Sequence, residues 1–252
     1  MKKQPLVLFV SMLAFVYSLH AQPGGAMSGP HLYGGVAKLF GDNPVFSADV
    51  EFQTTGPNQQ PMTMPGKIAF DTGKSRFEMN VIDSNGGQMS PAYAEHIKAM
   101  GMDRTVIITR PDLKITYIVY PGLSAYAETA PTDPDVNKPA SAFKVKTTEL
   151  GHETVEGHPC VKNKVVVTDD KGQAQEFTVW NASDLKKFPV KIETTEQGRA
   201  TTMIFKNIKA SKIDAAQFSP PTDYKKYDSQ RTLIQQEMMK RMGVKAMPTR
   251  HP

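Results

Sequence analysis

The chain has 252 residues, a formal net charge of +5 and a single cysteine. One cysteine excludes an internal disulfide, so stability has to come from packing. No segment after the first 21 residues is apolar enough to cross a bilayer as a helix, which excludes a helical membrane protein.

The chain starts with Lys2 and Lys3, continues through an apolar run that includes Leu8, Phe9, Val10, Leu13 and Phe15, and reaches the small residues Ser18 and Ala21 before Gln22. A positive start, a short apolar core and a small residue at the boundary are the layout of a cleaved secretory signal. The run is too short for a permanent span, and no cysteine near the boundary could carry a lipid anchor. The expectation is a soluble exported protein of the periplasm whose mature chain begins near Gln22. Removing 21 of 252 residues leaves 231, which suits one all-β domain with a sizeable core.

Residues 22–44 form a Gly-rich segment in which Leu32, Val36, Leu39 and Phe40 could share one face of a short helix, although Gly34 and Gly35 disfavour it. From Val45 the apolar period becomes two. Phe46, Ala48, Val50 and Phe52 alternate with Ser47, Asp49, Glu51 and Gln53, the pattern of a half-buried strand. Residues 67–70 and the set Phe77, Met79 and Val81 follow, separated by Asp71-Thr72-Gly73. Ser90-Pro91 opens a short helix that reaches Met100 and stops at Gly101. The clearest hairpin pairs 104–110 with 113–120 around Pro111-Asp112. In its second arm Leu113, Ile115, Tyr117 and Val119 share a face.

Residues 129–140, with three prolines and no alternation, read as a surface loop. Strands resume at Phe143, Val145 and Thr147. The runs 161–167 and 175–180 flank the turn Asp169-Asp170-Lys171-Gly172, and further strands hold Val190, Ile192, Met203 and Phe205. About ten strands joined by short turns give an antiparallel meander. Residues 223–252 form a basic, partly helical tail whose helix, over about 229–242, places Ile234, Met238 and Met242 on one face. From Tyr224 to Pro252 seven basic residues face two acidic ones, a local +5. Without Lys2 and Lys3 the chain is +3, so the body, 22–223, is −2. Such a tail suits an anionic membrane surface or an acidic partner. No nucleic-acid partner is expected.

The strands of the β domain, 45–222, each have one apolar face, and two short helices cannot cover ten strands. The sheet must therefore curl or pack on a second sheet. The expected fold is mainly β, a strongly curved antiparallel sheet with a few short helices over its concave apolar face. Its interior is either an open cavity or a filled core. Phe46, Val50, Phe52, Phe77, Met79, Ile115, Tyr117, Val179, Met203 and Phe205 are the candidates to line it. Met62 and Met64 belong to a methionine-rich set that suits an adaptable apolar surface.

Catalytic signals are absent. There is no Gly-x-Ser-x-Gly elbow, and Asp169 and Asp170 are turn residues. His152, His158 and Cys160 are weak candidates for a metal. Their spacing fits no zinc motif, Gly157 and Pro159 disfavour a helix, and Gly151 and Gly157 read as turn residues of a hairpin. Cys160 reads as a small buried residue. No cofactor is expected.

The stretch Gly157-His158-Pro159-Cys160, the strand 161–167, and Phe177-Thr178-Val179-Trp180-Asn181-Ala182 leading to Phe188-Pro189-Val190-Lys191-Ile192-Glu193 resemble a family of exported bacterial proteins of unknown function. That family is related to the periplasmic lipoprotein carriers of the LolA/LolB-like superfamily. The resemblance covers about 45–221. It implies a half-open antiparallel barrel whose helices cover a hydrophobic cavity, and it carries over no functional residue.

Three functions follow as expectations. The first is non-catalytic binding of a lipid, acyl chain or lipidated protein in the curved sheet. The second is an envelope sensor or scaffold that binds another protein, and the third is metal binding at His152–Cys160. N-terminal sequencing of the exported protein should begin near Gln22, and a full-length membrane-embedded product would refute the signal reading.

Overall fold

The computed structural model describes residues 34–55, 61–84, 89–131, 134–138, 140–196 and 199–243. The expected signal with its boundary at Ala21, residues 22–33 of the Gly-rich segment, and residues 244–252 of the tail lie outside this set.

The protein is mainly β. Its strands are β1 (Val45–Thr55), β2 (Pro61–Asp71), β3 (Lys74–Asn80), β4 (Arg104–Arg110), β5 (Ile115–Tyr120), β6 (Ala125–Thr129), β7 (Lys144–Val155), β8 (His158–Thr168), β9 (Ala174–Ala182), β10 (Phe188–Glu196), β11 (Arg199–Lys209) and β12 (Lys225–Tyr227). Helix α1 (Pro91–Ala99) lies between β3 and β4, and α2 (Gln230–Arg241) follows β12. One twelve-stranded sheet has the order β12-β6-β5-β4-β3-β2-β1-β11-β10-β9-β8-β7. It is curved and does not close into a barrel.

Tight turns explain most of that order. Thr72 and Gly73 join β2 to β3, and Glu156 and Gly157 join β7 to β8, all four with positive φ. Two such residues in a row make the turn whose twist matches paired antiparallel strands. The strands β1–β6 and β7–β11 are thus two meanders, and antiparallel pairing of β1 with β11 fuses them.

β12 is the exception. It pairs with β6 in parallel, so the sheet is mixed rather than wholly antiparallel. Parallel neighbours need a long crossover, and residues 210–224 supply it. They run from β11 across the back of the sheet, where Ile213 and Phe218 bury against Ala69, Val106, Ile108 and Val119. The segment expected to be a separate tail is therefore, in its described part, an edge strand and a helix packed on the sheet.

The main core lies on the opposite, concave face. The expected Leu32–Phe40 helix appears as a 3-10 turn, Val36–Phe40. It inserts Phe40 among Phe46, Phe70, Phe188 and Phe205, with ring centroids 4.8, 5.8, 5.7 and 5.7 Å away. Offset and edge-on rings at these distances add to the gain from burial. Within the expected loop, 129–140, one described part is structured. Pro134–Asn137 forms a 3-10 turn, and Val136 is buried. Lys138 ties it down by binding Asp135, Asp169 and Asp170. Those carboxylates hold the Lys138 ammonium well above the ordinary lysine range, the Asp170 contact contributing most.

Helix α2 starts at Ser229, whose hydroxyl accepts from the Thr232 amide. The expected stripe of Ile234, Met238 and Met242 is displaced. Leu233 and Glu237 are the buried residues, Ile234 and Met238 flank them, and Met242 is 70 % exposed. Leu233 sits on Tyr120, Ala125 and Ala127, where small strand residues let the helix approach closely.

Removing the Phe40 ring should destabilise the fold by ~3–5 kcal/mol, the usual cost of Phe→Ala in a packed core. Thermal unfolding of Phe40→Ala would measure it, and an unchanged melting temperature would refute the plug.

Candidate functional site

Directly opposed residues of an antiparallel ladder share a face, so the registers sort the apolar residues. Phe46 faces Phe70, Val50 faces Phe205, and Phe52 faces both Met64 and Met203. Ile192 continues this row to Val179. On the other side Phe77 faces Ile68 and Ile107, and Ile107 faces Ile118. All of these lie on the concave face.

The ten candidate lining residues separate into three groups. Phe46, Val50, Phe77, Met79, Val179, Met203 and Phe205 are on the concave face and almost fully buried, so they are walls of a packed core. Phe52 is on the same face but only partly buried. Ile115 and Tyr117 are not on it. Tyr117 faces Ile108 and packs with Tyr126 under the 210–224 crossover. A single interior shared by Phe46 and Ile115 is thereby corrected. The cause is that β4 and β5 are apolar on both faces, because both faces are covered there.

What remains open on the concave face is a strip of partly buried residues. It runs from Met62 and Met64 through Phe52 to Ile107 and Ile118. Phe77 bridges its two ends, with its ring 6.1 Å from that of Phe52 and its backbone opposite Ile107. Gly66 makes the bridge possible. A Cβ on Gly66 would lie 2.6 Å from the Phe77 ring and 2.8 Å from the Glu78 carbonyl oxygen. Without that atom the ring leans over β2 and reaches β1.

Two elements frame the strip. On the β5–β6 side is α2, whose far end is fixed by Arg241. Its guanidinium donates to the carbonyls of Ala99 and Gly122, both at 2.7 Å. On the β8 side stand Phe143 and Val167, beside a cleft of about 970 Å³ at the ends of β8–β11. Gln175, Thr194 and Thr201 also line this cleft, together with Asp169, Glu176 and Glu193, so the apolar strip gives way to polar and acidic groups there.

The convex face around β1–β3 is polar. Glu51 binds Lys206 at 3.0 Å, and Glu78 binds both Arg76 and Arg104. The Gln53 amide and Lys206 hold the Glu51 carboxyl below its ordinary range. Such exposed pairs contribute little to stability.

The weak metal candidates are not gathered. His152 is exposed beside Glu149, His158 binds Asp184 at 2.8 Å, and the Cys160 thiol donates to the His158 carbonyl. Among the described residues no three His, Cys, Asp or Glu side chains are placed to hold a metal. Trp180 points away from Val179 and is sealed by charged neighbours. Its ring N–H donates to Glu153, and the ammonium groups of Lys162 and Lys191 stand 4.8 and 4.3 Å from the ring centroid. Lysine stems cover the ring while their charges stay in water.

No family model matches the chain, and no curated protein matches it. Among solved structures it is similar to a LolA superfamily protein from Nitrosomonas europaea, at 10% identity over 72% of this chain and 93% of that one, with a TM-score of 0.35. It is similar also to the lipoprotein LppX of Mycobacterium tuberculosis, at 10% identity over 71% and 92%, TM-score 0.40. LprF from Mycobacterium bovis stands at 13% identity over 74% and 96%, TM-score 0.40. At scores of this size the functional reading stays with the residues of this chain. Among the described residues no helix is long and apolar enough to cross a membrane.

Burial pushes the Cys160 thiol pKa up, so its reactive thiolate is scarcer than in the unfolded chain. Alkylation by a maleimide at neutral pH should be slow in the native protein and fast in denaturant. Equal rates would show that Cys160 is an exposed, reactive thiol.

Proposed function

We propose that this is an exported, non-catalytic protein that binds a hydrophobic ligand in the open part of its concave face. The ligand class is a lipid, an acyl chain or a lipid-modified protein. One observation carries the reading, namely the strip of Met62, Met64, Phe52, Ile107 and Ile118 left partly exposed above the buried core of the concave face. A folded chain gains by covering such a strip, and a long, flexible apolar ligand fits a narrow concave surface. Two of the five residues are methionines, whose thioether side chains adapt to ligands of varied shape. The framing by α2 on one side and Phe143 on the other gives the strip the concavity usual for ligand sites. Export follows from the signal layout of residues 1–21.

Because Met62 and Met64 are partly exposed near the end of β2, a polar substitution there should harm binding more than folding. Met62→Glu and Met64→Glu should each weaken binding of a fluorescent fatty acid at least about tenfold, which is ~1.4 kcal/mol, with little change in melting temperature. Native mass spectrometry of the protein from its own compartment should show a bound lipid-sized mass that the variants lose. Unchanged probe affinity in both variants would refute the site. A defined protein complex without lipid would favour the sensor or scaffold reading instead.

A further inference from the structure

Helix α2 distributes its charge unevenly. Its sequence holds three basic residues, Arg231, Lys240 and Arg241, and one acidic residue, Glu237. The acid is turned inward. Glu237 is 5 % exposed and accepts a hydrogen bond from the buried Tyr227 hydroxyl. The three basic residues are exposed. The second Glu237 oxygen lies 3.7 Å from the Lys240 ammonium, and Asp228 is exposed just before the helix, so these carboxylates offset part of the charge and the outer face stays positive through Arg231 and Arg241.

The neighbouring elements extend this field. The Arg241 guanidinium holds the last turn of α2 against the end of α1, whose last turn carries exposed His96 and Lys98. Glu95, exposed on the same helix, offsets one of these charges. Lys225 and Lys226 lie on the adjoining edge strand, where Lys226 is paired with Glu128. Beyond Gly243 the sequence adds Lys245 and Arg250 and no acid. At the end of the helix Met242 is 70 % exposed.

We propose that the outer face of α2, with the end of α1, docks on an anionic lipid bilayer. Long basic side chains keep their charges among headgroups while their stems and a nearby thioether enter the interface. Anionic headgroups match the sign of the face, and the attraction fades as salt screens it. Met242, exposed beside these charges, gives the face the mixed basic and apolar character that a bilayer interface takes up. Since α2 borders the open strip, the docked protein would hold that strip near the membrane surface. The docking itself does not depend on what the strip binds.

Truncation of the tail cannot test this, because Leu233 is fully buried and its loss would damage the fold. Charge reversal can. Arg231→Glu with Lys98→Glu should abolish co-sedimentation with vesicles of phosphatidylcholine and phosphatidylglycerol at low salt. The melting temperature and fatty-acid binding should stay as in the parent. A control that removes the same charge elsewhere, Lys171→Glu with Lys187→Glu in two exposed turns, should retain vesicle binding. Binding should vanish at high salt and on vesicles of phosphatidylcholine alone. The proposal is overturned if the parent ignores anionic vesicles, if it binds neutral vesicles equally, or if both double variants lose binding alike. Binding to soluble polyglutamate without binding to vesicles would overturn it in favour of an acidic protein partner.

Discussion

The pairing of β1 with β11 is the contact on which the rest of the fold depends. Every other antiparallel pair except this one joins strands that are consecutive in the chain. Most of those pairs need only a short turn, and the longest connection, from β3 to β4, spans residues 81–103 with α1, whereas β1 and β11 must close a loop of more than a hundred residues. Such non-local pairing has a high entropy cost and must be offset by burial. The offset is visible at the seam, where Val50 faces Phe205 and Phe52 faces Met203, and where Phe40 arrives to pack on both Phe46 and Phe205. The ladder is also irregular. The register shifts between Ser47 and Asp49, Asn207 takes a positive φ, and its amide donates to Asp49 at 2.7 Å. An extra residue on one strand bends the sheet, so the seam that unites the two meanders also helps curve them.

Curvature and filling are then separate matters. The end of the concave face around Phe46, Phe70 and Phe188 is closed by a plug from outside the sheet. The region around Phe52, Met62 and Met64 has no such insert among the described residues and stays partly open. Period-two patterning cannot distinguish these two fates, because a sealed Phe46 and a half-open Phe52 occupy equivalent phases of one strand. The difference lies in the third layer, the Val36–Phe40 turn, and its effect depends on where the chain folds back.

This explains which parts were legible in the sequence. The meanders were legible because turn chemistry is local, and Thr72-Gly73, Gly157 and 169–172 each mark a reversal by residue type. That the sheet must curl or pack on a second sheet followed from counting apolar faces against available helices, and the half-open form came from the resemblance to the lipoprotein carriers. The placement of Ile115 and Tyr117 failed, because an alternating strand reveals two faces without saying which is inward. β5 is apolar on both faces, and only the long-range path of residues 210–224 decides what covers each. β12 was invisible for a related reason. Lys225-Lys226-Tyr227 has no strand pattern, and it joins the sheet because the crossover delivers it beside β6.

Helix α2 shows the limit of helical periodicity in the same way. A stripe drawn from apolar residues alone selects Ile234, Met238 and Met242. The structure rotates the helix so that Leu233 is central and a carboxyl group, Glu237, is buried with it. Burying an acid is costly unless it is hydrogen-bonded, and the Tyr227 hydroxyl provides that bond. Tyr227 is itself on β12, so the edge strand and the helix specify one another. The Tyr120 hydroxyl accepts from the Gln230 amide at 2.6 Å, which fixes the other end of the same face. Polar groups therefore choose the rotation of this helix as much as apolar ones do. The rotation that satisfies Glu237 is also the one that leaves Arg231 and Lys240 facing outward. The basic outer surface of the helix is thus a consequence of how its single acid is paired.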